Sequence, residues 1–289
     1  LYCSSCEAFY DEGELKEKNC PFHARPVERV SEETYFFKLS RYGTALLEHY
    51  TRHPDFLSPR YRAQELINFV KSGLKDISVS RTKVSWGVPV RSNPKHTVYV
   101  WFDALLNYAT GAGYNPENIS QDFQILWPAD VHLVGKEIFR FHGVIWPAML
   151  MALGVELPRK VYAHGWWTIN GDKMSKSRGN FIEAVDVVKD YGVDALRFFM
   201  FREITFGQDG EFSMEAFRRR YNADLANDLG NLFSRVMNMA ARYLDHRLPE
   251  KPENSETFRE LSSWTPDIHR SMEALQFSGA LEKIWQGVG

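Results

Sequence analysis

Two groups of residues have the types and spacing for chemistry. Lys173-Met174-Ser175-Lys176-Ser177, followed by Arg178-Gly179-Asn180, sets two lysines and two serines in a stretch whose flanks predict neither helix nor strand for it. A lysine-rich, glycine-flanked loop between a strand and a helix suits a polyphosphate, because charge developing on a leaving pyrophosphate is stabilised by cations brought in at the transition state. For the short string taken alone, a plain solvated basic loop is the favoured reading. The second group is Cys3, Cys6, Cys20 and His23, spaced C-x2-C-x13-C-x2-H. Soft thiolates and one imidazole on short chelating loops suit a tetrahedral structural zinc, and four protein ligands leave no open position for catalysis. Disulfide pairing leaves one of the three cysteines over and belongs to secreted chains. So short a segment buries little core, so metal binding would supply its folding energy.

The surrounding pattern predicts how these residues are held. Lys160–Ile169 reads as a strand, Asn170-Gly171-Asp172 as a turn, and 180–203 as helix broken near Gly192. His96–Phe102 and Val131–Val134 read as strands, and Asp103–Ala112 and Ile138–Leu153 as helices, an alternation typical of a parallel α/β sheet. Such sheets bind ligands beyond the carboxyl ends of their strands. Trp101, Ala104, Leu105, Tyr108, Ile138 and His142 would line an aromatic, apolar pocket there, suited to an unbranched, polarizable side chain. Taken singly, Trp101 and Ile138 fit ordinary core and His142 fits a satisfied core histidine. Gly135 permits close approach of a ribose or phosphate at a helix N-terminus. Residues 31–82 read as a mostly helical connector, with helices near 41–53 and 62–72. From 204 onward the chain reads as a helical tail in which Asn231 and Arg235 lie four apart on one face, 249–266 as a polar hinge, and 265–288 as a last helix.

With 289 residues, 44% of them hydrophobic and 14% aromatic, the chain predicts about two globular domains. A net charge of −2 leaves any nucleic-acid contact to a local patch. No run of 18 apolar residues and no leader pattern occurs, so a cytoplasmic location without a membrane span is expected. The start at Leu1 without Met suggests a piece of something longer.

The string KMSKSRGN resembles the second nucleotide-site motif of the class I aminoacyl-tRNA synthetases. Together with YCSSCEAFY, ISVSR, VYVWFDALLNY, HLVGKEIFRFH, WPAML, DALRFF, REITFGQDG and NDLGNL, the whole chain resembles the bacterial methionyl-tRNA synthetases. The resemblance implies an α/β fold: the C-terminal half of a Rossmann-type catalytic domain, with a zinc-binding connective insertion and a C-terminal α-helical bundle. It implies a connective region at 1–82, catalytic half-domain at 83–170, lysine-loop and stem-contact region at 171–222, and part of the anticodon-binding bundle at 223–289. The implied reaction is ATP-dependent activation of methionine and its transfer to tRNA(Met), with magnesium accompanying ATP. Lys176, supported by Lys173, would act on the phosphates, and Arg81 would neighbour the reacting carboxylate and phosphate. Trp101, Ala104, Leu105, Tyr108, Ile138 and His142 would form the methionine pocket, with Leu105 standing where part of the family has proline. Gly135, Lys136 and Glu137 would lie by the ribose, His164, Gly165 and Trp166 by the adenine, and Asn231 and Arg235 would read anticodon bases. No His-Ile-Gly-His motif is present, so the first half of the nucleotide fold is expected outside this chain. Rival readings are another class I synthetase, for Leu, Ile, Val or Cys, and a non-catalytic zinc-bearing RNA-binding module.

Overall fold

The structure, a computed structural model, describes residues 1–3, 8–10, 12–21, 24–29, 33–174, 179–247 and 255–289. Two compact units divide the chain, Leu1–Ala163 and His164–Gly289. The first opens with a ladder. Strands β1 (Tyr2–Cys3) and β2 (Ala8–Phe9) pair antiparallel. Tyr2 also bridges Glu28, and Asn19 bridges Pro26, so the segments carrying Cys3 and Cys20 belong to one small antiparallel arrangement.

Strand β3 (Phe36–Phe37) leads to α1 (Gly43–Arg52), which buries Leu46 and Tyr50 one turn apart. After β4 (Leu57–Ser58), α2 (Arg60–Lys71) buries Ala63, Leu66 and Val70, the spacing of one helical face. Strand β5 (Ile77–Ser78) pairs antiparallel with β3. A three-stranded antiparallel sheet follows, from β6 (Ser80–Arg81), β7 (Pro89–Val90) and β8 (Asn93–Val98) in the order β6-β8-β7. Helix α3 (Val100–Gly111) buries Leu105 and Ala109, and α4 (Gln121–Leu126) is capped by Ser120, whose Oγ accepts from the Phe123 N–H. Strand β9 (His132–Gly135) turns through a 3-10 segment, Lys136–Ile138, into a π-helical turn, Phe141–Ile145, and then α5 (Trp146–Leu153). Strand β10 (Val161–His164) lies between β4 and β9 and runs parallel to β4, Val161 opposite Leu57. The core of this unit gathers Leu46, Phe56, Leu66, Leu105, Val144, Trp146 and Leu150.

In the second unit β11 (Trp167–Ile169) pairs antiparallel with β12 (Asp172–Lys173). Helices α6 (Ala184–Tyr191) and α7 (Val193–Arg202) are separated by Gly192, whose φ of 86° no side-chain-bearing residue adopts cheaply. Strand β13 (Gly210–Glu211) joins β11 in parallel. Helix α8 (Met214–Arg220), capped by Ser213, passes through a π-helical stretch, Tyr221–Gly230, into α9 (Asn231–Leu244). Helices α10 (Glu256–Glu273) and α11 (Phe277–Val288) pack against one another. Phe199, Phe212 and Phe217 form the core, and Arg202 on α7 reaches Glu282 on α11 at 2.8 Å.

Several elements differ from the sequence pattern. The strand expected at 96–102 ends at Val98, and Trp101 sits in the first turn of α3, because the amphipathic helix begins as soon as Tyr99 leaves the β6–β8 ladder. The single strand expected at 160–169 is two strands in different sheets, parted at Gly165 and Trp166. Lys173 is not in a loop: it closes the β11–β12 hairpin opposite Thr168. Residues 256–266, expected as hinge, are helical, and α10 continues through Pro266; packing against α11 outweighs the one backbone hydrogen bond that proline forgoes. Among the described residues no helix is long and apolar enough to cross a membrane.

The π-turn fixes one testable constraint. A Cβ on Gly143 would lie 2.4 Å from Leu66 Cδ2 and 3.0 Å from Leu57 Cδ2. Gly143→Ala should therefore overpack the α2–β4 contact and lower stability by about 1–3 kcal/mol, read as a shifted urea midpoint at unchanged slope.

Candidate active site

In the first unit, α3 and the π-turn bring Trp101, Tyr108 and His142, three of the expected pocket residues, together. His142 is only 2% exposed, with its Nδ1 2.9 Å from the Ile138 carbonyl and its Nε2 2.8 Å from the Tyr108 hydroxyl. A carbonyl only accepts, so Nδ1 carries the proton and Nε2 accepts from the Tyr108 O–H. Burial holds His142 below the usual histidine value, partly offset by the Ile138 carbonyl, and partial burial raises the Tyr108 phenol, so both stay neutral. The Trp101 ring stands edge-on to His142, 6.3 Å between centroids, and stacks on Phe141 at 4.0 Å. Ile138 is half-buried and Ala104 exposed, whereas Leu105 is fully buried in the core. Gly135 ends β9, the half-buried Lys136 and Glu137 follow it directly, and a Cβ on Gly135 would meet the Glu137 carboxylate at 2.5 Å.

The pattern of β9 contains a residue that the motifs did not single out. Its alternation puts His132 and Val134 inward and Leu133 outward, so a histidine occupies a core position; a polar residue on the buried face of a strand was the available signal. His132 Nε2 accepts from the Trp146 indole N–H at 3.2 Å, and its ring lies 4.4 Å from that of Tyr108. Burial lowers its pKa to about 4, with His142 beside it adding to the effect. A neutral acceptor thus backs the Tyr108–His142 pair.

Arg81 is buried. It donates to Ser78 Oγ at 2.7 Å and to the Ser80 carbonyl at 2.8 Å, and its guanidinium lies 4.2 Å from the Tyr99 ring centroid. Cys3 and Cys20 are each 1% exposed, as thiolates enclosing a metal would be. Cys6 and His23 lie outside the described residues, among which no group of three metal-ligating side chains occurs.

In the second unit, His164, Gly165 and Trp166 form the turn between β10 and β11. The Trp166 N–H donates to Asp209 Oδ1 at 2.8 Å, and the Gly210 N–H to the Trp166 carbonyl at 2.9 Å. A Cβ on Gly165 would lie 2.2 Å from the Gln208 carbonyl oxygen, so two backbones cross where only glycine fits. A small cleft beside this crossing is lined by His164, Gly165, Met200, Ile204, Phe206 and Gln208. Lys173 Nζ sits 4.4 Å from the Trp166 ring centroid, and Lys176 lies outside the described residues. Asn231 and Arg235 are exposed in the first turns of α9. In the last turn of α8, Arg218-Arg219-Arg220, two arginines are engaged within the unit, Arg218 with the Tyr191 hydroxyl at 2.9 Å and Arg220 with Glu203 at 2.7 Å.

The chain is similar to known proteins. A profile of the family described as tRNA synthetases class I (M) matches residues 1–237. The chain belongs to this family. A methionine–tRNA ligase of Caldanaerobacter subterraneus is 52% identical over 289 residues, covering 99% of this chain and 45% of the relative. One of Thermotoga maritima is 47% identical, covering 99% and 46%. Among solved structures, the Mycobacterium tuberculosis methionyl-tRNA synthetase in complex with methionyl-adenylate superposes with a TM-score of 0.91 at 44% identity, covering 100% of this chain and 58% of that one. Its apo form gives 0.88 at 42%, again covering 100% and 58%. The chain therefore has the class I synthetase fold, and it spans a little under half the length of the curated relatives it matches.

The neutral His132 carries a pH dependence. Its folded pKa lies below that of the unfolded chain, so acid protonates the unfolded state first. Its contribution is complete above pH about 6.5 and is lost as pH falls towards about 4. His132→Gln, which keeps an acceptor for Trp146, should remove on the order of 2 kcal/mol of the stability lost across that window. Urea titrations at both ends measure it, and an unchanged acid slope would contradict the assignment.

Proposed function

We propose that this chain is the part of a methionine–tRNA ligase that receives the methionine side chain and the ATP phosphates, in a cytoplasmic protein that charges tRNA(Met). The observation that carries this reading is the neutral Tyr108–His142 pair beneath Trp101, in a chain 52% identical to a methionine–tRNA ligase. An apolar aromatic wall with one hydroxyl suits a thioether, which is polarizable and accepts only weakly. The presence of methionyl-adenylate in a solved relative at 44% identity supports the same substrate.

In the proposed reaction the methionine carboxylate attacks the α-phosphate of ATP and pyrophosphate leaves; the terminal ribose hydroxyl of the tRNA then attacks the adenylate carbonyl and AMP leaves. No covalent enzyme intermediate is needed, so catalysis is positioning and charge stabilisation. Lys176 and Lys173 stabilise the phosphates, and Arg81 orients the reacting carboxylate. Trp101, Ala104, Leu105, Tyr108, Ile138 and His142 hold the methionine side chain. Gly135, Lys136 and Glu137 serve the ribose, His164, Gly165 and Trp166 the adenine, and Asn231 and Arg235 the anticodon bases. Magnesium bound to the ATP phosphates offsets their charge.

Cys3, Cys6, Cys20 and His23 hold a structural zinc in a connective region spanning 1–82; the burial of Cys3 and Cys20 supports it. We assign 83–170 to the second half of the Rossmann domain, 171–222 to the lysine-loop region and 223–289 to part of the anticodon-binding bundle. We assign the first half of the nucleotide fold to the rest of the parent protein; that this chain covers 45% of the relative is compatible with it.

Methionine-dependent exchange of pyrophosphate into ATP tests the reading. Exchange should occur once that remaining segment is supplied, and its absence under those conditions would refute the proposal. Lys176→Ala should slow adenylate formation roughly 100- to 1000-fold with little change in methionine affinity, measured before the steady state. Cys3→Ala should release zinc and unfold the first 30 residues; full metal content in that variant would refute the ligand set.

A further inference from the structure

We infer that the hairpin tip carrying Trp86 is a stacking platform for the single-stranded 3′ end of the tRNA, an inference that rests on the tRNA-charging reading. Trp86 is 90% exposed, more than any other large apolar side chain among the described residues. It stands in the loop 82–88 between β6 and β7, all of it solvated, with Val84 and Val88 also exposed. An exposed indole with flanking apolar residues marks an interaction site sooner than a core position.

The loop's side chains are solvated but its backbone is fixed. Thr97 Oγ1 donates to the Val84 carbonyl at 2.7 Å, and the Val98 N–H donates to the Val88 carbonyl at 2.7 Å. Gly87, at φ 142°, approaches so closely that a Cβ there would lie 2.5 Å from Thr97 Cγ2. The indole is therefore presented in advance, and little ordering is left to be done when a ligand binds.

Charge selects the partner. Residues 77–102 contain Arg81, Lys83, Arg91 and Lys95 and no Asp or Glu, in a chain whose net charge is −2. Lys83, Arg91 and Lys95 are exposed. A basic hairpin with a solvated aromatic at its tip matches single-stranded nucleic acid, whose phosphates meet the cations while a base stacks on the ring. Position selects the end of the tRNA. Trp86 is five residues from Arg81, a chain distance of at most ~18 Å, and Arg81 is the residue assigned above to the reacting carboxylate. The strand that must reach that carboxylate is the acceptor end.

The test uses the intact protein with Trp86→Ala, Trp86→Phe and the double variant Lys83→Ala/Lys95→Ala, together with tRNA whose last three nucleotides are present or removed. Methionine-dependent pyrophosphate exchange should be unchanged in all three variants. Trp86→Ala should weaken tRNA binding about tenfold, and Trp86→Phe should restore most of it. Removing the 3′ nucleotides should weaken the wild type by a similar factor and leave Trp86→Ala unaffected. The double lysine variant should reduce the slope of log affinity against log salt by about 1.4. Equal sensitivity of wild type and Trp86→Ala to loss of the 3′ end would overturn the inference, as would an indole at 86 shielded from acrylamide in the intact protein. Missing exchange in the wild type would instead overturn the charging reading, while the 3′-end dependence of binding would still report on the hairpin.

Discussion

The first unit depends on two hydrogen-bonded groups that meet ring to ring: the Trp146 indole donating to His132, and the Ile138 carbonyl joined through His142 to the Tyr108 hydroxyl, with the His132 and Tyr108 rings 4.4 Å apart. Each bond fixes the next group's protonation. Because Ile138 offers only an acceptor, His142 must donate through Nδ1 and accept through Nε2, which turns the Tyr108 O–H towards it at 2.8 Å. Because the Trp146 indole only donates, His132 must stay neutral at Nε2. Buried polar groups of this kind are costly when unpartnered and rigid when satisfied, so the pocket wall is held in one arrangement.

The same economy explains the backbone around it. Carrying His142 inward requires the π-helical turn at Phe141–Ile145, and the Tyr50 hydroxyl donates to the Gly143 carbonyl inside that turn at 2.6 Å. In the second unit the corresponding device is a crossing of two chains at Gly165 and Gln208, secured by Asp209 on the Trp166 N–H. Both places trade regular secondary structure for the placement of a functional segment, and both put glycine where a side chain would collide.

Much of this was legible. The helices around 43–52 and 60–71, the break at Gly192, and the convergence of Trp101, Tyr108 and His142 follow from periodicity and strand-end logic. His132 does not stand out in the string itself, because an apolar run such as HLVG reads as plain strand core until its neighbours are known. Leu105 shares one helical stripe with Trp101, Ala104 and Tyr108 by the spacing 101, 104, 105 and 108; along that stripe Leu105 is 1% exposed while Ala104 is solvated, a difference the spacing alone does not contain. The lysine-rich string predicts a loop at Lys173, but hairpin pairing with Thr168 claims its backbone.

What the sequence determined by itself was local chemistry and membership: the motif strings, the knuckle of cysteines with one histidine, the amphipathic faces, and through them the family. These depend on residue types at short separations, which a linear string contains. Only the tertiary structure decided the protonation of His132 and His142, the splitting of 160–169 between two sheets, and the continuation of α10 through Pro266. Each of these is set by groups far apart in the chain that meet in the fold, Trp146 against His132, β4 beside β10, α11 against α10, and their desolvation and packing outweigh the local preferences of the residues involved.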